Sequence, residues 1–78
     1  MQRRTETVRN VLSRIEWESG KRISYAVGPV GDRIGRVQVN VYPTVGDAKF
    51  RIFDLHDGVT AVMRQAIREW FEPFALTP

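Results

Sequence analysis

The sequence predicts an α+β fold of order α-β-β-β-α, a single domain over residues 1–78 in which a three-stranded antiparallel meander carries both helices on one face. Three observations carry this expectation. Two segments, one near each end of the chain, repeat apolar residues at the period of an amphipathic helix. Three segments between them alternate apolar and polar residues at period two, as half-buried strands do. The connections are short, so consecutive strands should pair as antiparallel neighbours.

The first helix is expected at about residues 5–18, where Val8, Val11, Leu12 and Ile15 make one apolar stripe. Thr5 suits its N-cap, because a hydroxyl can accept a free backbone N–H. Glu6 suits the positive end of the helix dipole. Ser19-Gly20 ends it, glycine being able to take the left-handed cap conformation. Trp17 lies off the stripe and is expected to cover the edge of the core.

Ile23, Tyr25 and Val27 form the apolar side of the first strand. A loop from Gly28 to Gly35 follows, with three glycines and a proline in eight residues, and its composition predicts a mobile segment. The second strand alternates Val37, Val39 and Val41 with Arg36, Gln38, Asn40 and Tyr42, and Pro43 closes it because proline cannot donate to a ladder. After a turn at Thr44–Asp47, the third strand runs from Ala48 to Leu55, with Phe50 and Ile52 assigned to the core. Asp57 is the expected N-cap of the second helix, whose stripe is Val59, Val62, Met63, Ala66, Ile67 and Trp70. Pro73 should stop it, since a residue before proline disfavours helical geometry. Phe71 is then expected off the stripe and exposed, and Phe74 and Leu76 fall in a short tail folding back on the core.

Composition narrows the function classes. The chain has 78 residues and no cysteine, so it can form neither a disulfide nor a thiolate zinc site. It has no apolar run approaching the about 20 residues that cross a bilayer, and no secretion-type leader, so a complete cytoplasmic protein beginning at Met1 is expected. The formal charge of +3 is contributed by residues 1–22, the remainder of the chain being balanced. That asymmetry is mild for a nucleic-acid-binding arm.

No pattern of residues predicts catalysis, a cofactor or a metal. His56 is the sole histidine. Asp54 or Asp57 could orient its imidazole, but no nucleophile or oxyanion pattern accompanies it. The three residues read as turn and cap residues between strand and helix. Gly28, Gly31 and Gly35 do not form a phosphate loop, because no helix follows them to receive an anion.

The open face of the sheet is the candidate binding surface. Strict alternation assigns to it Arg22, Ser24, Ala26, Arg36, Gln38, Asn40, Tyr42, Lys49, Arg51 and Phe53. Such a set is cationic, carries aromatic and amide groups and contains no acid. It could meet phosphates and base edges, or a protein partner, or remain a solvated sheet face. Trp70, Phe71 and Phe74 make a second aromatic cluster that could serve a protein interface, although Trp70 lies on the core stripe.

The element order is similar to that of double-stranded-RNA-binding domains, and Gly28-Pro29 sits where that family has a glycine-proline turn. Its histidine is replaced here by the run Val30-Gly31-Asp32, and its lysine-rich helix start by Asp57–Val62, so the RNA contacts of that family do not carry over. The three-stranded sheet also resembles, in architecture alone, the arm-binding domains of phage integrases. The resulting expectation is a non-enzymatic regulator or inhibitor that binds a protein partner. Small inhibitors of phages and mobile elements, anti-CRISPR proteins among them, are similar in size. Direct nucleic-acid binding through Arg22, Arg36, Gln38, Asn40, Tyr42, Lys49, Arg51 and Phe53 is the alternative. Free sheet edges also allow a homodimer.

Overall fold

A computed structural model describes residues 3–31 and 35–76, except for the side chain of Leu76. Its elements are α1 (Arg3–Ser19), β1 (Ser24–Pro29), β2 (Arg36–Tyr42), β3 (Lys49–Asp54) and α2 (Ala61–Leu76). The strands form an antiparallel sheet in the order β1-β2-β3, the predicted meander. Asp32, Arg33 and Ile34, the centre of the glycine-rich loop, lie outside the described residues, as does the predicted mobility of that segment.

Helix α1 follows its sequence signals closely. Val8, Val11, Leu12 and Ile15 are buried as one stripe. Gly20 has φ 72°, and its N–H donates to Glu16 O at 2.9 Å, so the left-handed cap forms as expected. Glu16 then accepts a hydrogen bond from Ile23 N at 2.7 Å, which ties the helix end to the entry of the sheet. The start differs from the expectation. Thr5 is buried within the helix, which already runs from Arg3, and so does not cap it. Trp17 is 81% exposed and covers no part of the core.

Strand β1 runs further than its alternation suggested. Gly28 pairs with Gln38 and Pro29 with Val37, so these two residues extend the strand instead of forming a turn. Proline is tolerated there because β1 is an edge strand and its side away from β2 needs no donor.

Strand β3 reverses the predicted assignment. Antiparallel partners share a face of the sheet. Phe53 pairs with Val37, Arg51 with Val39 and Lys49 with Val41, which places all three on the helix side. Phe50 pairs with Asn40 and Ile52 with Gln38, which places them on the open side. Phe53 is 2% exposed, whereas Phe50 is 64% and Ile52 43% exposed. A shift of one residue in parity moves every side chain of a strand to the other face.

Helix α2 begins at Ala61, not beside Asp57. Its N-cap is Thr60, whose hydroxyl accepts a hydrogen bond from Met63 N at 3.2 Å. The helix also continues through Pro73. Proline supplies no N–H for the turn and costs about 3 kcal/mol or more in a helix interior. Packing of the last turn opposes that cost: Phe74 meets Trp70 at 5.2 Å between ring centroids, and Ala75 is buried. The continued helix shifts the apolar stripe to Met63, Ile67, Trp70, Phe71, Phe74 and Ala75. Phe71 is therefore fully buried, edge-on to Tyr25 at 5.7 Å, and Val62 is left 76% exposed.

Both helices contribute to one core with Val27, Val37, Val39, Val41, Phe53 and Leu55. Arg68 of α2 links the helices, donating to Glu18 of α1 and Glu72, each at 3.0 Å. The hydrogen bond to Glu18, and then that to Glu72, raises the Arg68 pKa above its ordinary value. No helix among the described residues is long and apolar enough to cross a membrane.

Candidate functional site

With both helices on one side, the opposite side of the sheet is left uncovered. β1 contributes Ser24, Ala26 and Gly28, β2 contributes Arg36, Gln38, Asn40 and Tyr42, and β3 contributes Phe50, Ile52 and Asp54. Its composition differs from the expected cationic face. Phe50 and Ile52 stand two residues apart on β3, beside the amides of β2, and Tyr42 is 46% exposed at one end. Gln38 Nε2 donates to Asn40 Oδ1 at 2.8 Å, a bond along β2 that orients both amides in the middle of the face. Charge is confined to the other end, where Arg36 and Asp54 are cross-strand partners 4.0 Å apart.

Arg36, Gln38, Asn40 and Tyr42 thus share the face assigned to them. Lys49, Arg51 and Phe53 do not. Phe53 is core. Lys49 and Arg51 are exposed on the helix side of β3, and the Arg51 guanidinium carbon lies 5.2 Å from the centroid of the Phe53 ring. Arg22 precedes β1, outside the paired residues of the sheet, at the end where Ser24 and Tyr42 of the open face stand. It lines an open groove of about 1440 Å³ at the end of the domain, between the end of α1 and the β2–β3 connection. Trp17 and Val45 line the same groove, together with charges of both signs, including Glu16, Asp47 and Lys49.

The sequence reading missed Phe50 and Ile52 as surface residues. A signal for them exists in Leu55. Residues 53 and 55 form an apolar pair with the same two-residue spacing as 50 and 52, and they stand nearer the helix connection that must enter the core. Only one pair can face the helices, and Leu55 is 1% exposed.

The segment around His56 is occupied by turn chemistry. His56 N donates to Asp54 Oδ1 at 3.2 Å, and Gly58 N donates to Leu55 O at 2.8 Å. Arg4 of α1 donates to Leu55 O at 2.7 Å and His56 O at 3.1 Å, which fastens the turn to the helix. The imidazole itself is exposed. Among the described residues, no three histidine or carboxylate groups gather where they could hold a metal ion.

The glycine-proline pair that resembled the turn of double-stranded-RNA-binding domains lies within β1, paired with β2. No family model matches the chain, and neither a curated protein nor a solved structure matches it.

Proposed function

We propose that this protein is a small non-catalytic regulator or inhibitor that acts by binding a protein partner, and that the open face of the sheet is its docking surface. One observation carries the reading: Phe50 and Ile52 are 64% and 43% exposed side by side on the same open face. Single exposed apolar residues are ordinary, but a cluster on a regular face marks a contact surface. The face combines apolar groups on β3 with a bonded amide pair on β2 and charge at one end, a mixture of apolar and polar contacts that protein interfaces share. Here the charge is the Arg36–Asp54 pair. A cytoplasmic site of action, of the kind used by phage-encoded inhibitors, is part of this proposal.

The nucleic-acid alternative draws less support from this geometry. Its cations are divided among the groove, the helix side of β3 and an ion pair with Asp54. Nucleic-acid surfaces concentrate their cations into one patch or stripe.

Affinity capture from the native host tests the proposal, with Phe50→Asp/Ile52→Asp as the matched control and nuclease added to both. Both positions are exposed, so the control should keep its circular dichroism and unfolding midpoint. A stoichiometric protein retained by the wild type and lost by the control supports the reading. Equal recovery by both, or recovery abolished by nuclease, contradicts it.

A further inference from the structure

We propose that the free edge of β3 takes up an extended strand of a protein partner, one whose side chains alternate between acidic and apolar. This rests on the docking role of the open face and specifies the partner's backbone geometry and chemistry.

Val30 N donates to Arg36 O, and Leu55 N donates to Gly35 O. These two bonds fix the phase of both ladders, because hydrogen-bonded and non-bonded pairs alternate along an antiparallel pair. Even-numbered residues of β2 therefore face β1, and odd-numbered residues face β3. On β3, residues 49, 51 and 53 turn their N–H and C=O toward β2. Phe50, Ile52 and Asp54 turn theirs outward, and no hydrogen bond to those groups is present among the described residues.

The two edges of the sheet are unequal. By the same phase, β1 turns Tyr25, Val27 and Pro29 outward. There Val27 O already accepts a hydrogen bond from Arg9 of α1 at 3.0 Å, and Pro29 has no N–H to offer. Edges blunted in this way resist pairing. The β3 edge has neither device.

Side chains then indicate what the edge selects. An added strand would place its residues opposite β3 on both faces. On the open face they would meet Phe50 and Ile52, which call for apolar partners. On the helix face they would meet Lys49 and Arg51. Neither cation has a carboxylate within ion-pairing distance among the described residues. Arg51 lies over Phe53, which leaves its N–H groups available to a carboxylate. A second copy of β3 is a poor occupant, because it would bring two further cations to the same face, where like charges repel. A strand alternating acid and apolar residues satisfies both faces, and main-chain bonding would supply the affinity common to strand addition.

The test is a titration of the isotope-labelled protein, followed by amide resonances, with a blocked eight-residue peptide of alternating glutamate and valine. A lysine–valine peptide of equal length and a glutamate–valine peptide N-methylated at alternate residues are the controls. The glutamate–valine peptide should shift and protect from exchange the amides of Phe50, Ile52 and Asp54. It should bind at least about ten-fold more tightly than the lysine–valine peptide at low salt. Arg51→Glu and Lys49→Glu, at exposed positions, should each remove that preference and the double variant should reverse it, and N-methylation should abolish binding. Equal binding of both charge types, no shift at all, or shifts of the open face without amide protection would overturn strand addition. Protection of β3 that grows with protein concentration, without peptide, would also overturn it and make a second copy the occupant. Strand addition can fail in the titration while the capture experiment still retains a partner through the open face, so the two failures are distinguishable.

Discussion

Phe53 stands directly across from Val37, and both side chains are buried on the helix side of the sheet at 2% exposure. That pairing fixes the parity of β3, and with it the chemistry of the opposite face. It also makes Phe53 a core residue in contact with Trp70, their ring centroids 6.0 Å apart and nearly perpendicular. Phe53→Ala should destabilise the fold by about 3–5 kcal/mol, the usual cost of truncating a buried phenylalanine. Phe50→Ala should stay within about 0.5 kcal/mol, as exposed substitutions usually do. Urea unfolding midpoints compare the two directly. For a domain of this size, whose core rarely supplies more than about 3–5 kcal/mol, the Phe53 variant should be largely unfolded in water.

The fold was legible because its signals reinforce one another. The α1 stripe, the glycine cap at Gly20 and the valine alternation of β2 each point to the element that forms. The face of β3 was not legible by alternation alone, since 50/52 and 53/55 offer equally apolar pairs and only tertiary packing separates them. The α2 stripe was misjudged for a related reason. Taking Pro73 as a stop removed Phe74 and Ala75 from the pattern, so the apolar stripe was centred too near Val62 and left Phe71 outside. The apolar groups that define the candidate site, Phe50 and Ile52, lie on β3, whose face alternation left open. For that reason the site was harder to read than the architecture.

Gly35 is a position where glycine is required twice over. Its φ is 90°, a conformation that L side chains rarely adopt. A Cβ there would also fall 2.7 Å from His56 Cα, a backbone atom. Its carbonyl accepts the Leu55 N–H that extends the β2–β3 ladder. Gly35→Ala should therefore cost at least about 1–3 kcal/mol, and thermal unfolding should show it. Gly46, with φ 99° and open space around it, should lose less on the same change.

The cap of α2 gives a third comparison. Thr60→Ala removes the acceptor of the Met63 N–H and should cost about 1 kcal/mol. Asp57→Ala, in the exposed turn before the helix, should cost less than about 0.5 kcal/mol. Chemical denaturation of the two single variants distinguishes them. A larger loss at Asp57 would move the helix start back toward the turn.

Scattered cations predict weak nucleic-acid binding. Fluorescence anisotropy with short duplex DNA, duplex RNA and single strands should give no affinity beyond the roughly 10⁻⁴–10⁻⁶ M of non-specific association at physiological salt. Arg36→Ala and Arg51→Ala, on opposite faces, should each change it by no more than about two-fold. Salt-resistant binding that both substitutions abolish would restore a nucleic-acid role.

The apolar docking surface exists only if Phe50 and Ile52, and not Lys49, Arg51 and Phe53, reach solvent on the open face. The chain contains no cysteine, so single cysteines at positions 50, 52 and 37 can be compared by thiol labelling without a background. Phe50→Cys and Ile52→Cys should react at rates near that of a free thiol. Val37→Cys, a small truncation at the buried partner of Phe53, should be protected until the domain opens. Protection of positions 50 and 52 to the level of position 37 would return Lys49 and Arg51 to the open face and contradict the apolar docking surface.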